Sequence, residues 1–352
     1  MRHYPSKGVQ AFIADVLRRL GMSPEDASLG ATILHDADLA GVDTHGIVNL
    51  ATHMHYAVGL RNGEVEPRPT VTTLRDSPVA AAWDSGRGFG PVIAHRAMAE
   101  AIAKAERTGV GMITVRDGRH FGANGYFVEM AAEMGMVAMV LANTPAAAFP
   151  PGGRAGAVGT NPFAFAAPVG AGPPLVLDIA LTAVSGSKVL RAIARGEQVP
   201  EGWVVDAEGE PSTDPTWIRH GGALELLGGH VAGHKGYALA LMVDAISILA
   251  GSGSGLWQRA GTGHWSQGQW FAAWRIDLFM DEAEFLKEMQ RVAEHLHGLP
   301  AKPGVSVLLP GERRAACRLE RATHGVPIAD EDAANLQQLA ADTGTSFPDP
   351  VD

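Results

Sequence analysis

The sequence of 352 residues holds one cysteine, Cys317. No disulfide can close within it and no thiolate metal cluster can form, a pattern that fits a reducing cytoplasm. Positive charge is not in excess either. Lys and Arg number 28 against 38 Asp and Glu, a formal net charge of −10. A nucleic acid needs a basic face to displace its counterions, so no nucleic-acid partner is expected. Long apolar runs are missing: the longest, 237–250, contains Asp244 and is too short to span a bilayer. Met1 to Pro5 lacks the apolar core of a signal peptide, so no membrane partner and a cytoplasmic location are expected. There is no His-Glu-x-x-His among the fourteen histidines, and His53 and His55, two apart, would point to different faces of a helix. No metal site is expected. A Gly-x-Ser-x-Gly elbow is absent, which argues against a Ser/His/Asp hydrolase. Finally, no Gly-x-Gly-x-x-Gly stands between a strand and a helix, so a Rossmann phosphate loop is not supported.

What is present suits a folded core. Hydrophobic residues make up 46% of the chain, enough for one large domain or two to three smaller ones. Val9, Phe12, Ile13, Val16, Leu17 and Leu20 recur at helical spacing up to Gly21. Ser23-Pro24-Glu25-Asp26 then reads as an N-cap with an acidic first turn, opening a helix to about Ala40. Further helices are expected over 48–60, 91–108, 126–133, 183–195, 237–249, 281–296 and 331–341. The helix at 237–249 is apolar enough to be buried on most sides. Strands are expected over 71–74, 79–83, 111–115, 136–142, 163–167, 175–179, 271–278 and 305–309. Residues 201–219 read as an exposed polar loop, 251–268 as a long loop, and the last ten residues as frayed. The mixture is α/β without a strict βαβ rhythm.

Asp43-Thr44-His45-Gly46 closes a helix-like stretch and sets an imidazole beside a hydroxyl and a carboxylate. His45 reads as a proton carrier whose other ring nitrogen Thr44 or Asp43 would hold; the alternative is a histidine that caps a helix end. His120 follows an expected strand in a loop with Asn124, where sites are commonly built, or else in a turn shaped by its glycines. Gly159-Thr160-Asn161-Pro162 and Asp178 flank a strand. Asp178 would accept hydrogen bonds from ribose hydroxyls, hold a catalytic histidine, or cap a helix. Gly233-His234-Lys235-Gly236 opens the apolar helix, where backbone N–H groups beside a lysine suit a phosphate or carboxylate, or is an ordinary Gly-flanked helix start. Pro310-Gly311-Glu312-Arg313-Arg314 reads as a turn whose cations touch phosphates or only water.

In this order these segments resemble the type-2 malate/L-lactate dehydrogenase family, which includes ureidoglycolate dehydrogenase, diketogulonate reductase, sulfolactate dehydrogenase and piperideine-2-carboxylate reductase. The likeness runs from about residue 8 to residue 328. It rests on Asp43-Thr44-His45-Gly46-Ile47, His120-Phe121-Gly122, Gly159-Thr160-Asn161-Pro162-Phe163, Asp178-Ile179-Ala180, Gly186-Ser187-Lys188-Val189, His234-Lys235-Gly236-Tyr237 and Leu309-Pro310-Gly311-Glu312. It implies a non-Rossmann nicotinamide-binding fold with a largely antiparallel sheet and a helical domain from both chain ends. Residues 1–75 with 300–352 would form that helical domain and carry the proton donor. Residues 76–299 would form the cofactor-binding sheet domain with a helical subdomain. The resemblance implies a homodimer acting on a small molecule with NAD or NADP. His45 matches the proton donor, with Thr44 in place of the usual serine. His120, Phe121, Gly122, Ala123, Asn124, Thr160, Asp178, Ile179, Ala180, His234, Lys235, Gly311, Glu312 and Arg313 match cofactor-contacting segments. Where the family has arginine four residues after the histidine, gripping a substrate carboxylate, stands Asn49. Where tyrosine is common stands His53, and Val231-Ala232-Gly233 reads as an insertion. The expected activity is hydride transfer to or from a carbonyl, a hydroxyl or a cyclic imine. The alternatives are a standard 2-hydroxy acid dehydrogenase and an inactive member that only binds cofactor.

Overall fold

Apolar side chains from both ends of the chain seed one core. In a computed structural model of the protein, which describes residues 1–52, 56–258 and 266–351, the chain opens with β1 (Arg2–Tyr4), α1 (Ser6–Arg19) and α2 (Pro24–Leu39). The Ser23 hydroxyl caps α2 by accepting the Asp26 N–H at 3.1 Å. A 3₁₀ turn (Ile47–Leu50) and the short α3 (Tyr56–Arg61) replace the single helix expected over 48–60. Next come β2 (Thr72–Asp76), β3 (Ala80–Asp84), α4 (Gly90–Thr108), β4 (Val110–Gly118), α5 (Asn124–Glu133), β5 (Met136–Ala142), β6 (Phe163–Ala167) and β7 (Leu175–Ile179). The chain continues through α6 (Gly186–Arg195), β8 (Val204–Val205), β9 (Pro211–Ser212), β10 (Ala223–Leu224), α7 (Gly229–Ile248) and β11 (Gln267–Arg275). It closes with α8 (Glu282–His297), α9 (Glu312–His324), β12 (Val326–Ile328) and α10 (Asp330–Thr343).

The main sheet has seven strands in the order β2-β3-β4-β11-β5-β6-β7. Only β3 and β4 run parallel, joined by the crossover helix α4; every other pair is antiparallel. The period-two alternation of β5 divides its side chains between two cores. Ala138, Val140 and Ala142 face α4 and α5; Leu141 and Met139 face α7. A three-stranded sheet, β10-β8-β9, packs against α6 through Val204, Leu224, Val189 and Ala192. These strands lie inside the stretch 201–219 and just beyond it. Val204 and Val205 are buried there, so that stretch is not the exposed loop its polarity suggested.

Both chain ends share one core. β12 pairs with β1, and Leu336 and Leu339 of α10 join Phe12, Ile13 and Leu50. The expectation of frayed last residues does not hold. Phe347 packs on Tyr4 and Phe12 at ring-centroid distances of 5.0 and 5.1 Å, and the Val351 N–H donates to the His3 carbonyl at 2.8 Å. Residues 305–309 form no strand. That segment is largely exposed, and only Leu309 is buried from it. The expected turn at 310–314 instead leads into α9. Nor is α7 buried on most sides: Leu239, Met242, Ile248 and Leu249 are exposed. Its backbone leaves the helical region at Ala232, inside the stretch read as an insertion. Among the described residues no helix is long and apolar enough to cross a membrane.

Candidate active site

The loop that carries His45 is fixed from three sides. Gly46 lies so close to Asp38 that a Cβ there would sit 1.8 Å from the carboxylate Oδ1, so glycine is required for close approach. Asp38 in turn accepts the Ile47 N–H at 2.9 Å, and burial holds its carboxyl well above the usual range. Arg321 of α9 donates to the Asp38 carbonyl and to the Asp43 carboxylate. Arg191 of α6 donates from Nη2 to the Asp43 carbonyl at 3.1 Å. Within the loop, Thr44 Oγ1 stands 2.8 Å from His45 Nδ1. Asn49 is 0% exposed. Its Nδ2 donates to the Thr44 carbonyl at 3.0 Å, while its Oδ1 is buried without a partner. Asn49 therefore holds the loop from behind and offers no charge. His53 lies outside the described residues.

His120 faces this loop from the other layer. Its ring stacks on that of His45 with centroids 5.4 Å apart and planes 26° apart. The Tyr56 hydroxyl, from the start of α3, is hydrogen-bonded to His120 Nδ1. Tyr56 is itself locked edge-on against Phe89 at 5.1 Å. Gly90, the first residue of α4, touches the His120 carbonyl: a Cβ there would come within 2.1 Å of that oxygen. Withdrawal from water lowers His45 to about 4, aided by the nearby Arg191 charge. Burial, then the neighbouring His45, lowers His120 to about 3. Both rings are neutral at pH 7. Burial pushes the Tyr56 hydroxyl far above its ordinary value, so it stays protonated.

Beyond His120 the chain turns into α5. Phe121 packs its ring on Phe127 and Phe271 at 5.5 and 5.8 Å, so its side chain belongs to the core. Gly122 and Ala123 complete the turn and are buried. Asn124, the first residue of α5, is buried with Nδ2 unpartnered. At the end of β7, Asp178 accepts the Gly125 N–H at 2.8 Å. Burial raises its carboxyl, opposed by the Arg314 guanidinium, whose Nη1 is 3.9 Å away. Arg314 bonds Glu129 at 3.0 Å and keeps a buried, unpartnered Nε. Ile179 is exposed and Ala180 half-buried beside this cluster in sequence.

Other expected residues serve different ends. Thr160 Oγ1 meets Thr144 Oγ1 at 3.2 Å. Its neighbour Asn161 accepts the Thr144 N–H at 3.0 Å and donates to the Ala240 carbonyl at 2.8 Å, tying this loop to α7. His234 and Lys235 are exposed in the first half of α7. Gly311 abuts the Pro174 carbonyl before α9. Glu312 is engaged by the Leu309 N–H at 2.8 Å and by His297 at 2.8 Å. Arg313 is exposed, and the buried cation of this turn is Arg314. Two residues that sequence reasoning did not assign thus enter the site, Tyr56 and Arg191; Arg314, read only as one of two cations in the turn, is the buried one. The spacing of Arg314 next to Arg313 was the one available signal. Among the described residues no three His, Cys, Asp or Glu side chains are grouped to hold a metal ion.

Residues 4–337 match the family described as malate/L-lactate dehydrogenase. The malate dehydrogenase of Pyrococcus abyssi is 34% identical over 349 residues, spanning 97% of this chain and 94% of that protein. The Delta(1)-pyrroline-2-carboxylate/Delta(1)-piperideine-2-carboxylate reductase of Pseudomonas putida is 31% identical over 342 residues, spanning 95% and 96%. The solved structure of sulfolactate dehydrogenase from Methanocaldococcus jannaschii superposes with a TM-score of 0.88 at 30% identity, covering 98% of each chain.

Proposed function

Because the chain belongs to the malate/L-lactate dehydrogenase family, we propose that it moves a hydride between a nicotinamide cofactor, NAD or NADP, and the carbon of a carbonyl, a hydroxyl or a cyclic imine, with His45 passing the proton. It is an oxidoreductase, as its named relatives are. The observation that carries the finer reading is the His45–His120 pair, pinned by Thr44 on one side and Tyr56 on the other. With Nδ1–H donating to the Thr44 hydroxyl, neutral His45 turns its Nε2 lone pair to the substrate, taking the hydroxyl proton in oxidation and returning it from the protonated ring in reduction.

A bound nicotinamide supplies or accepts the hydride. The residues that would hold it are those around the start of α5: the unpartnered Asn124 Nδ2 and Arg314 Nε are buried donors, and Asp178 lies beside them. Their role is to fix the reacting carbons at near-attack distance, which supplies much of the rate. The mostly antiparallel sheet supports a fold distinct from Rossmann, with residues 1–75 and 300–352 as the helical domain and 76–299 as the cofactor domain. We assign the enzyme to the cytoplasm, as a homodimer.

Replacing His45 with Ala should lower turnover by roughly 10²–10⁴-fold, the usual contribution of a positioned proton carrier. Fluorescence titration should find reduced-nicotinamide affinity within about threefold of the parent, since uniform binding is a separate term. Undiminished turnover would remove His45 from the mechanism.

A further inference from the structure

A neutral imidazole has one N–H and one lone pair, so the partner that claims the lone pair decides whether the ring can take a proton. Two such rings stand together at this site. His45 and His120 lie 5.4 Å apart between centroids, with planes 26° apart. A proton delivered to the pair has two candidate seats, and the surroundings of His120 distinguish them.

His120 is fixed through its backbone and its ring. The carbonyl of Arg119, the residue before it, accepts a hydrogen bond from Gln269 Nε2 at 2.9 Å, which ties the loop to β11. Its own carbonyl lies against Gly90 at the start of α4. The ring meets that of Tyr56 with centroids 5.7 Å apart. Tyr56 is buried and held edge-on by Phe89, so its hydroxyl cannot turn to water. Burial also keeps that hydroxyl protonated. Two acceptors are within its reach: His120 Nδ1, by a short hydrogen bond, and the His120 carbonyl at 3.4 Å. The second is long for an O–H···O bond, which usually spans about 2.7–2.8 Å. A buried hydroxyl hydrogen goes to the better acceptor, here Nδ1. His120 then carries its own hydrogen on Nε2 and has no lone pair left.

Resting on the reading of His45 as proton carrier, we propose that Tyr56 is a positioning residue that withholds His120 from proton exchange: its hydroxyl fills the one lone pair of that ring and leaves the proton a single seat, on His45. Thr44 sets the opposite tautomer on His45, meeting its Nδ1 at 2.8 Å and leaving the Nε2 lone pair free. The stacked rings thus present unlike nitrogens, one that takes a proton and one that only donates a hydrogen bond. Where such an N–H meets the reacting oxygen or nitrogen, it stabilises the negative charge that develops there as hydride arrives. Repulsion makes the division matter. A proton seated on one ring disfavours a proton on the other. Without the Tyr56 hydroxyl, His120 can take the proton and bar it from His45.

The test is a cycle between Tyr56 and His120. Reduction of oxaloacetate, pyruvate or Δ1-piperideine-2-carboxylate, whichever the parent turns over fastest, is followed through oxidation of the reduced nicotinamide. Tyr56→Phe keeps the ring against Phe89 and drops only the hydroxyl. It should lower kcat by about tenfold, the worth of one hydrogen bond, with KM and reduced-nicotinamide affinity within about threefold of the parent. In a His120→Ala background the same change should cost nothing more, because its route is gone. His120→Gln, whose amide donates but takes no proton, should keep kcat within about tenfold of the parent. Parent-like kcat in Tyr56→Phe overturns the proposal, as do losses that multiply across the cycle. A His120→Gln defect as deep as that of His45→Ala also overturns it, since His120 would then carry the proton itself. Should Tyr56→Phe not fold, or none of the three compounds turn over, a neutron map of the parent decides alone: hydrogen on His120 Nε2 supports the proposal, and hydrogen on Nδ1 overturns it. Failure of the proton reading is separate, and shows as full turnover in His45→Ala.

Discussion

At the scale of single residues, the proposed site holds two neutral imidazoles. His45 titrates near 4 because the ring is withdrawn from water and faces a guanidinium. On the proposed role, neutral His45 is the base in the oxidative direction, so kcat/KM should stay level from pH 8 to about 6 and fall only as the pH nears 4. Initial rates of hydroxy-acid oxidation across that range check this, since kcat/KM reports the free enzyme. An acid limb at 6.5, the ordinary imidazole value, would mean that the ring is hydrated after all. Much of this residue-level picture was legible in the sequence where partners are adjacent. Thr44 and His45 are neighbours, and their hydrogen bond is written into the order of the chain. Tyr56 and Arg191 were not legible, because each acquires its meaning from a partner brought near only by folding: His120 is 64 residues from Tyr56, and Asp43 is 148 from Arg191. Asn49 was legible as a departure, but not as the strut behind Thr44.

At the scale of elements, apolar periodicity marked helices well and ion-paired helices badly. α1 was readable because Val9, Phe12, Ile13, Val16 and Leu17 form one buried stripe. α9 buries only Arg314 and carries no such stripe. It is held by Arg318 to Asp36 at 2.9 Å and to Glu129, and by Arg321 to Asp43. Charge pairing across 189 or 282 residues leaves no local trace. α7 erred the other way: uniform apolarity announced burial on most sides, yet one face is open, with Leu239, Met242 and Leu249 at 41%, 41% and 70% exposure. A monomer rarely leaves such a stripe uncovered. If the proposed homodimer packs through this face, Met242→Asp should convert it into monomers, read as a halved mass by light scattering at about 10 μM subunit; a parent already at subunit mass would remove the homodimer assignment. A mass unchanged by this substitution would place the contact between subunits elsewhere.

At the scale of the whole molecule, stability should follow the buried histidines. His35 is buried in the N-terminal helices, its Nε2 2.9 Å from Ser6 Oγ and its Nδ1 unpartnered, and burial lowers it to about 4. Below 6.5 the unfolded chain takes up a proton that the folded chain refuses until about 4. Folding stability is thus lost as pH falls through that window. His45 and His120 add the same sign. Asp38, Asp178 and Asp332, raised by burial, oppose it. Between pH 7 and 5 the His35 share is at most about 2 kcal/mol, or ~3 °C of Tm for a chain of this size. Calorimetry of His35→Gln should show a Tm that drops by about that much less than the parent's over the same interval. Equal drops would remove His35 from the account.

The pairing of β1 with β12, and of Arg321 with Asp38 and Asp43, sets an order of completion. A ribosome delivers His45 early with its local braces Asp38 and Asn49, but Arg321 comes 278 residues after Asp43, at speeds that let the intervening sheet collapse first. The segment written near the beginning is therefore the last to be finished. Until Arg321 emerges, the nascent chain carries that imidazole on a loop short of one of its braces.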